Sequence, residues 1–287
     1  MKLSVENYDV RQKVGEEQAL RLIAQAGFDC IDYSFYWQPD DWEVLGDGYR
    51  EYAQTFRQLL QREGLECNQA HAPFRLRYNE PWNMDNPHYR EIVRAIESAA
   101  IMGARQIVVH ALTVPLEDRE TNFEELNLAY YRSLEPVCQK AGIRIAVENL
   151  WQSDQQRKCF RGVLGTPREL NRFLNELNSP WFVACVDVGH ASITDTEPQT
   201  FIREMQPELL KALHIQDTDY LGDRHLLPFA GDFNWAAIME SLKEKGYDGD
   251  LTLEIVRFFK TLPDALLPDA LRYAASVGRY LISVFEK

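Results

Sequence analysis

Four short apolar runs in this chain end in residues that bind metals or move protons. Ile145-Ala146-Val147 leads into Glu148 and Asn149, and Ala184-Cys185-Val186 leads into Asp187. Leu213 precedes His214-Ile215-Gln216-Asp217, and Glu254 stands between Leu253 and Ile255. A carboxylate inside an apolar run is costly to bury unless it is paired or metal-bound. One account is an ion pair with a strand-end lysine or arginine, but no basic residue stands at an equivalent inward position. A divalent cation shared by Glu148, Asp187, His214 and Glu254 supplies the counter-charge instead. Two to three carboxylates with one imidazole suit Mn, Co, Zn or Mg, and the sequence leaves that choice open. Such a cation polarises a substrate carbonyl. Glu148 and Glu254 then serve as the acid and base that move a proton through an enediolate stabilised by the metal.

The remaining histidines extend the pattern. His71, His110, His190 and His225 also lie at or just beyond the ends of apolar runs, and only His88 opens a helical segment. His71 and His110 read as substrate contacts, as ligands of a second metal, or as hydrogen-bonded strand-end histidines. Asp223 and His225 read as loop residues or as further ligands. Cys185, beside the site, reads as a small core residue.

Eight strands must position these groups. The candidates are residues 2–6, 30–34, 65–70, 106–111, 144–149, 182–188, 212–216 and 251–256, each followed by a longer segment of helical periodicity. Thr166-Pro167-Arg168-Glu169 predicts a capped helix start. Gly27, Gly64, Gly103, Gly142 and Gly246 each follow a periodic segment and precede a strand, as glycines that end helices do. The alternation predicts a single (β/α)8 TIM barrel over residues 1–287, with its active site at the C-terminal ends of the strands. An open doubly wound sheet fits less well, because Glu6-Asn7-Tyr8-Asp9 follows the first strand where a glycine-rich dinucleotide turn would stand.

Composition narrows the function. A formal net charge of −13 repels phosphate backbones, and the basic residues are scattered, so nucleic acid is not expected as a partner. No run approaches the roughly 20 apolar residues of a membrane span. Residues 1–10 lack the pattern of a secretion signal, and five cysteines without a CxxC pair suit reduced thiols, so a cytoplasmic protein is expected. The segments Tyr36-Trp37-Gln38-Pro39-Asp40-Asp41-Trp42 and Asn79-Glu80-Pro81-Trp82-Asn83 are acidic and aromatic, suited to walling in a sugar, with Trp37 as a substrate contact.

In family order, Val147-Glu148-Asn149, Asp187-Val188-Gly189-His190, Leu213-His214-Ile215-Gln216-Asp217 and Leu253-Glu254-Ile255 resemble the xylose-isomerase-like barrel superfamily, in particular its sugar phosphate isomerase/epimerase branch. The resemblance spans nearly the whole chain. It implies a small keto-sugar, sugar phosphate or inosose as substrate, and one divalent ion on Glu148, Asp187, His214 and Glu254. It also implies glutamates that move protons and a substrate contact from His190. Residues 223–232 resemble the loop after strand seven, where Phe229 replaces a common glycine. The epimerases place an arginine six residues after the histidine ligand. Tyr220 stands there in this chain, and Arg224 is the nearest substitute. Related barrels often self-associate. Endonuclease-IV-type apurinic enzymes share this fold and hold three zinc ions, and His71, His110, Glu148, Asp187, His190, His214, Asp223, His225 and Glu254 would match their ligands.

Overall fold

Runs of β-branched and apolar residues with period two become strands buried on both faces, and the helical segments between them cover the outside. In the computed structural model, which describes residues 1–36, 43–153 and 160–287, the strands are β1 (Leu3–Glu6), β2 (Cys30–Ser34), β3 (Glu66–His71), β4 (Gln106–Val108), β5 (Arg144–Glu148), β6 (Leu150–Ser153), β7 (Phe160–Val163), β8 (Phe182–Asp187), β9 (Leu210–His214) and β10 (Leu251–Leu253). Eight of them form one parallel sheet in the order β10-β1-β2-β3-β4-β5-β8-β9. A bridge between Ile215 and Leu253 joins the two ends. There Ile215 N donates to Thr252 O at 2.8 Å and Glu254 N donates to Ile215 O at 3.0 Å. The sheet therefore closes on itself as a TIM barrel.

The eight expected strands all form. The structure adds two elements that the periodicity did not predict. A helix, Tyr8–Val14, starts two residues after β1. After β5, a two-stranded antiparallel hairpin of β6 and β7 is inserted before the next helix. The β6 side chains beyond Leu150 are only half-buried, so the segment carries no alternating apolar signal.

Inside the barrel, Val108, Ala146, Val183, Cys185 and Ala212 form a compact cluster separate from the larger core between strands and helices. Small side chains fill the barrel floor and leave the next inward position of each strand facing the mouth. With period two, that position is Glu148 on β5, Asp187 on β8 and His214 on β9. The helices hold this frame firmly. Pro167–Leu177 begins with a complete capping box, Thr166 Oγ1 accepting from Glu169 N at 3.2 Å and Glu169 Oε2 from Thr166 N at 3.1 Å. Gly27, Gly64, Gly103, Gly142 and Gly246 all carry positive φ at helix ends, as expected.

Among the described residues no helix is long and apolar enough to cross a membrane. Cys30, Cys67, Cys138 and Cys185 are buried free thiols, and Cys159 lies outside the described residues. Replacing the cap by Thr166→Ala is expected to cost about 1 kcal/mol of unfolding free energy. Urea denaturation measures this, and an unchanged midpoint would show that the box contributes nothing.

Candidate metal centre

Burial sets the terms of the site. Glu148 and Asp187 are at most 1% exposed, His214 is fully buried and Glu254 is 6% exposed. One donor atom from each of the four lies within 4.8 Å of all the others. His214 Nδ1 stands 2.7 Å from Glu148 Oε1 and 3.4 Å from Glu254 Oε2. The strand register helps to produce this. A shift in the β8–β9 pairing between Ala184 and Cys185 sets Asp187 opposite His214, as bulges near active sites commonly re-aim side chains. Asn149 then ties β5 to β8, donating to Asp187 O at 2.9 Å and accepting from Asp187 N at 2.8 Å.

The donor set fits a divalent cation. Three carboxylates and one imidazole converge where no lysine or arginine makes an ion pair with them among the described residues. Cys185 also lies within reach of Glu148 and His214, but burial pushes its thiol up to about 12, so it is a poor thiolate ligand. Two further donor groups flank the first. His71 and His110 face each other with their Nε2 atoms 2.9 Å apart, and His110 Nε2 is also 2.9 Å from Glu148 Oε2. His71 Nδ1 donates to Ala72 O at 2.9 Å, so in the neutral ring Nε2 is the lone-pair nitrogen that faces His110 and could bind a cation. On the other side, His190, Asp223 and His225 meet, with His225 Nε2 at 3.0 Å from Asp223 Oδ2.

Several residues that the sequence did not flag hold this arrangement. Asp32 Oδ2 lies 3.3 Å from His214 Nε2 and accepts from Gln69 Nε2 at 2.7 Å. A carboxylate behind a ligand imidazole fixes its tautomer and raises its basicity. Gln216 Nε2 donates to Asp187 Oδ2 and Asp223 Oδ1, both at 3.0 Å, while Gln216 Oε1 accepts from His225 N at 2.7 Å. Gln216 reaches them across Gly189, where an added Cβ would come within 2.5 Å of its side chain. Asp217 gathers the following loop, accepting from Phe229 N at 2.8 Å and Trp235 Nε1 at 2.8 Å. Phe229, at the position where a glycine is common, has φ +73 and so occupies the left-handed region that favours glycine.

The donors open into a cavity of about 320 Å³, walled by Tyr8, Tyr36 and Phe74. Trp37 lies outside the described residues. Of the two aromatic loops, the second stays away from this cavity. Trp82 packs on Tyr130 with ring centroids 5.8 Å apart, and Glu80 pairs with His88 at 3.1 Å. Arg224 is likewise outside the lining, held by Asp219 at 3.1 Å with its side chain 42% exposed. A somewhat larger cavity, about 390 Å³, opens beside the hairpin near Val114 and Thr166, but it holds none of the three donor groups.

Charge in the metal-free site is balanced by protons. Burial disfavours the imidazolium of His225, yet Asp223 and Glu254 overcome it and hold that group up at about 9. His190 and His214 are raised well above the usual histidine value against the same burial, His190 by Asp187 and Asp223, His214 by the acidic groups Cys185, Glu254 and Glu148. His110 goes the other way, down to about 4, because burial wins. Burial pushes Glu254 up to about 7. Glu148 falls well below the carboxylate range, because His214, His110 and His71 outweigh its burial.

Metal ligation requires neutral imidazole. The raised value of His214 means that its proton is present at neutral pH, so loading Mn or Zn is expected to release a proton and to tighten as pH rises. Calorimetry in buffers of different ionisation enthalpy reads this directly, and zero proton release would contradict it. Asp32→Asn is expected to weaken metal affinity roughly 10–100-fold with the fold retained. Unchanged affinity would remove Asp32 from the support of His214.

Comparison with known proteins places the fold in a family. A family model described as xylose isomerase-like TIM barrel matches residues 20–276. An uncharacterized protein of Methanocaldococcus jannaschii, MJ1311, is 29% identical over 265 residues, covering 86% of this chain and 82% of that protein. Among solved structures, a D-tagatose 3-epimerase-like protein superposes with a TM-score of 0.74 at 23% identity, over 100% of this chain and 98% of that one. The IOLI protein with a bound zinc atom superposes with a TM-score of 0.70 at 15% identity, over 100% of this chain and 98% of that one. With a family match across most of its length and eight parallel strands closed around the donor groups, the chain belongs to the xylose isomerase-like TIM-barrel family.

Proposed function

We propose that this chain is a divalent-metal-dependent isomerase or epimerase of a small keto-sugar, sugar phosphate or inosose. The observation that supports it is the meeting of Glu148, Asp187, His214 and Glu254, with Glu148 and Glu254 lining a cavity of sugar-binding size. One divalent ion, Mn, Zn, Co or Mg, held by these four side chains would supply Lewis-acid polarisation of a substrate carbonyl.

The chain's own residues do the rest. Glu148 and Glu254 both line the cavity and flank His214 Nδ1, so either carboxylate can take a proton from the carbon beside a bound carbonyl. Return of the proton to the same carbon from the other glutamate inverts it, and return to the neighbouring carbon interconverts aldose and ketose. His190, held by Asn149 O at 3.0 Å from its Nδ1, presents the rest of its ring to the cavity and can steady a substrate oxygen. His71 and His110 stand at the same wall. Tyr8, Tyr36 and Phe74 offer apolar faces to sugar C–H groups and exclude water. Buried free thiols suit a cytoplasmic setting.

A second reading, an apurinic endonuclease with three zinc ions, has one specific observation in its favour. The flanking groups His71/His110/Glu148 and His190/Asp223/His225 are two additional sets of ligand-type donors. The net charge of −13 opposes it.

Deuterium wash-in from solvent across ketoses, aldoses and inososes, with Mn, Zn, Co and Mg supplied in turn, tests the first reading. Exchange is expected for at least one sugar and to fall roughly 10²–10⁴-fold in Glu148→Gln. Absence of exchange with every metal would end the assignment. Three tightly held zinc ions per chain, together with nicking of abasic duplex DNA, would replace it by the second reading.

A further inference from the structure

Two cations stand at the mouth of the cavity without a salt bridge among the described residues. Arg257 and Lys260 follow Glu254 by three and six residues, on the helix Val256–Lys260 that leaves β10, and both line the cavity that holds Glu148, Glu254 and His190. Neither makes an ion pair or side-chain hydrogen bond with a described residue. Some cations of the fold are engaged, among them Arg11 on Ser34 O, Lys13 on Leu262 O, Arg224 on Asp219 and Arg279 on Asp29. The chain carries a formal charge of −13 and its cavity is lined by acids, yet Arg257 and Lys260 make no salt bridge with them, and Lys260 acts on Asp9 only at longer range. Asp9 adds a complementary feature. It lines the same mouth, is 8% exposed, and its Oδ2 is buried without a hydrogen-bond partner among the described residues. A carboxylate in the wall of the cavity can accept from a sugar hydroxyl placed there.

We infer that the cavity takes a polyhydroxylated substrate bearing an anionic group, phosphate or carboxylate, at the end remote from the metal donors, with Arg257 and Lys260 on the anion and Asp9 on a neighbouring hydroxyl. The inference rests on the isomerase or epimerase reading for the other end of the substrate. The planar guanidinium of Arg257 matches the paired oxygens of either anion, and Lys260 adds a mobile point charge. A cavity of about 320 Å³ admits a single sugar with such a group but no polymer. The acidic surface repels anions in general, so local cations at the mouth decide which anions enter.

The test compares D-fructose, D-fructose 6-phosphate and D-fructuronate, which share a ketose end and differ in charge at the other. Binding of each to the Mn-supplemented protein is measured by calorimetry, and solvent deuterium exchange is measured separately. At least one anionic sugar is expected to bind about tenfold or more tightly than D-fructose, and which one does so separates phosphate from carboxylate. In the double variant Arg257→Gln/Lys260→Gln the preference is expected to fall to within about twofold of parity, and Asp9→Asn is expected to weaken all three sugars. Equal affinities in the unaltered protein, a preference for D-fructose, or a preference that survives the double variant would each overturn the anion subsite. A preference abolished by the double variant, with no exchange from any sugar, would keep the subsite and sink the proton-transfer reading instead.

Discussion

Several carboxylates buried together at one end of a barrel repel one another, and each loses its hydration. In the mouth of this barrel Glu148, Asp187, Asp223 and Glu254 are brought within a few residues' reach, with Asp32 directly behind His214. Such a cluster can stand only with a counter-charge at its centre. Without a cation, protons would supply it, on His190, His214 and His225, all raised above the usual histidine range by the acids around them. A divalent cation would replace those protons and serve more of the carboxylates at once. The geometry of the strand ends, the second ring of hydrogen bonds and the acidity of the cavity all follow from that need.

The barrel meets the need by separating two tasks along each strand. The inward positions near the floor hold small apolar residues that pack against one another, Ala146, Cys185 and Ala212 among them. Two residues further on, the same face carries Glu148, Asp187 and His214. The packing below fixes the height of the donors above it, so side-chain placement inherits the precision of a close-packed core. Around them, amides rather than charges do the holding. Gln69 acts through Asp32, Asn149 through Asp187, and Gln216 through Asp187, Asp223 and the His225 backbone. An amide can donate to a carboxylate and accept from a backbone N–H without adding net charge, so it orients the donors without competing with a cation.

The eight strands and the four central donors were legible in the sequence for a physical reason. Apolar alternation marks a strand, and a carboxylate that interrupts it, as at Glu148 and Glu254, marks a place where burial must be compensated. Asp32 was not legible, although it sits in the equally apolar run Cys30–Ser34. Its role depends on a register shift between β2 and β3 that sets it opposite Gln69, and no local pattern encodes that shift. The hairpin of β6 and β7 escaped because β6 beyond Leu150 is only half-buried and carries no alternation. Loop chemistry was the least readable. Asn79–Asn83 has the composition of a sugar-binding wall but spends it on the following helix, while Tyr36 and Phe74 provide the wall instead. Arg224 has the charge for a substrate contact, but Asp219, five residues before it, claims that charge.

Glu148 ties the central donors to one of their flanks. Its Oε1 faces His214 and its Oε2 faces His110, so the central group and the His71/His110 group share one carboxylate. A shared carboxylate makes occupancy of the two groups interdependent, because charge drawn toward one cation is less available to the other. The His190/Asp223/His225 group shares no ligand with the central set, yet Gln216 binds both Asp187 and Asp223. Loss of Glu148 therefore disturbs both chemistry and ligation, whatever the number of ions, whereas a change at Asp32 reaches the centre only through His214.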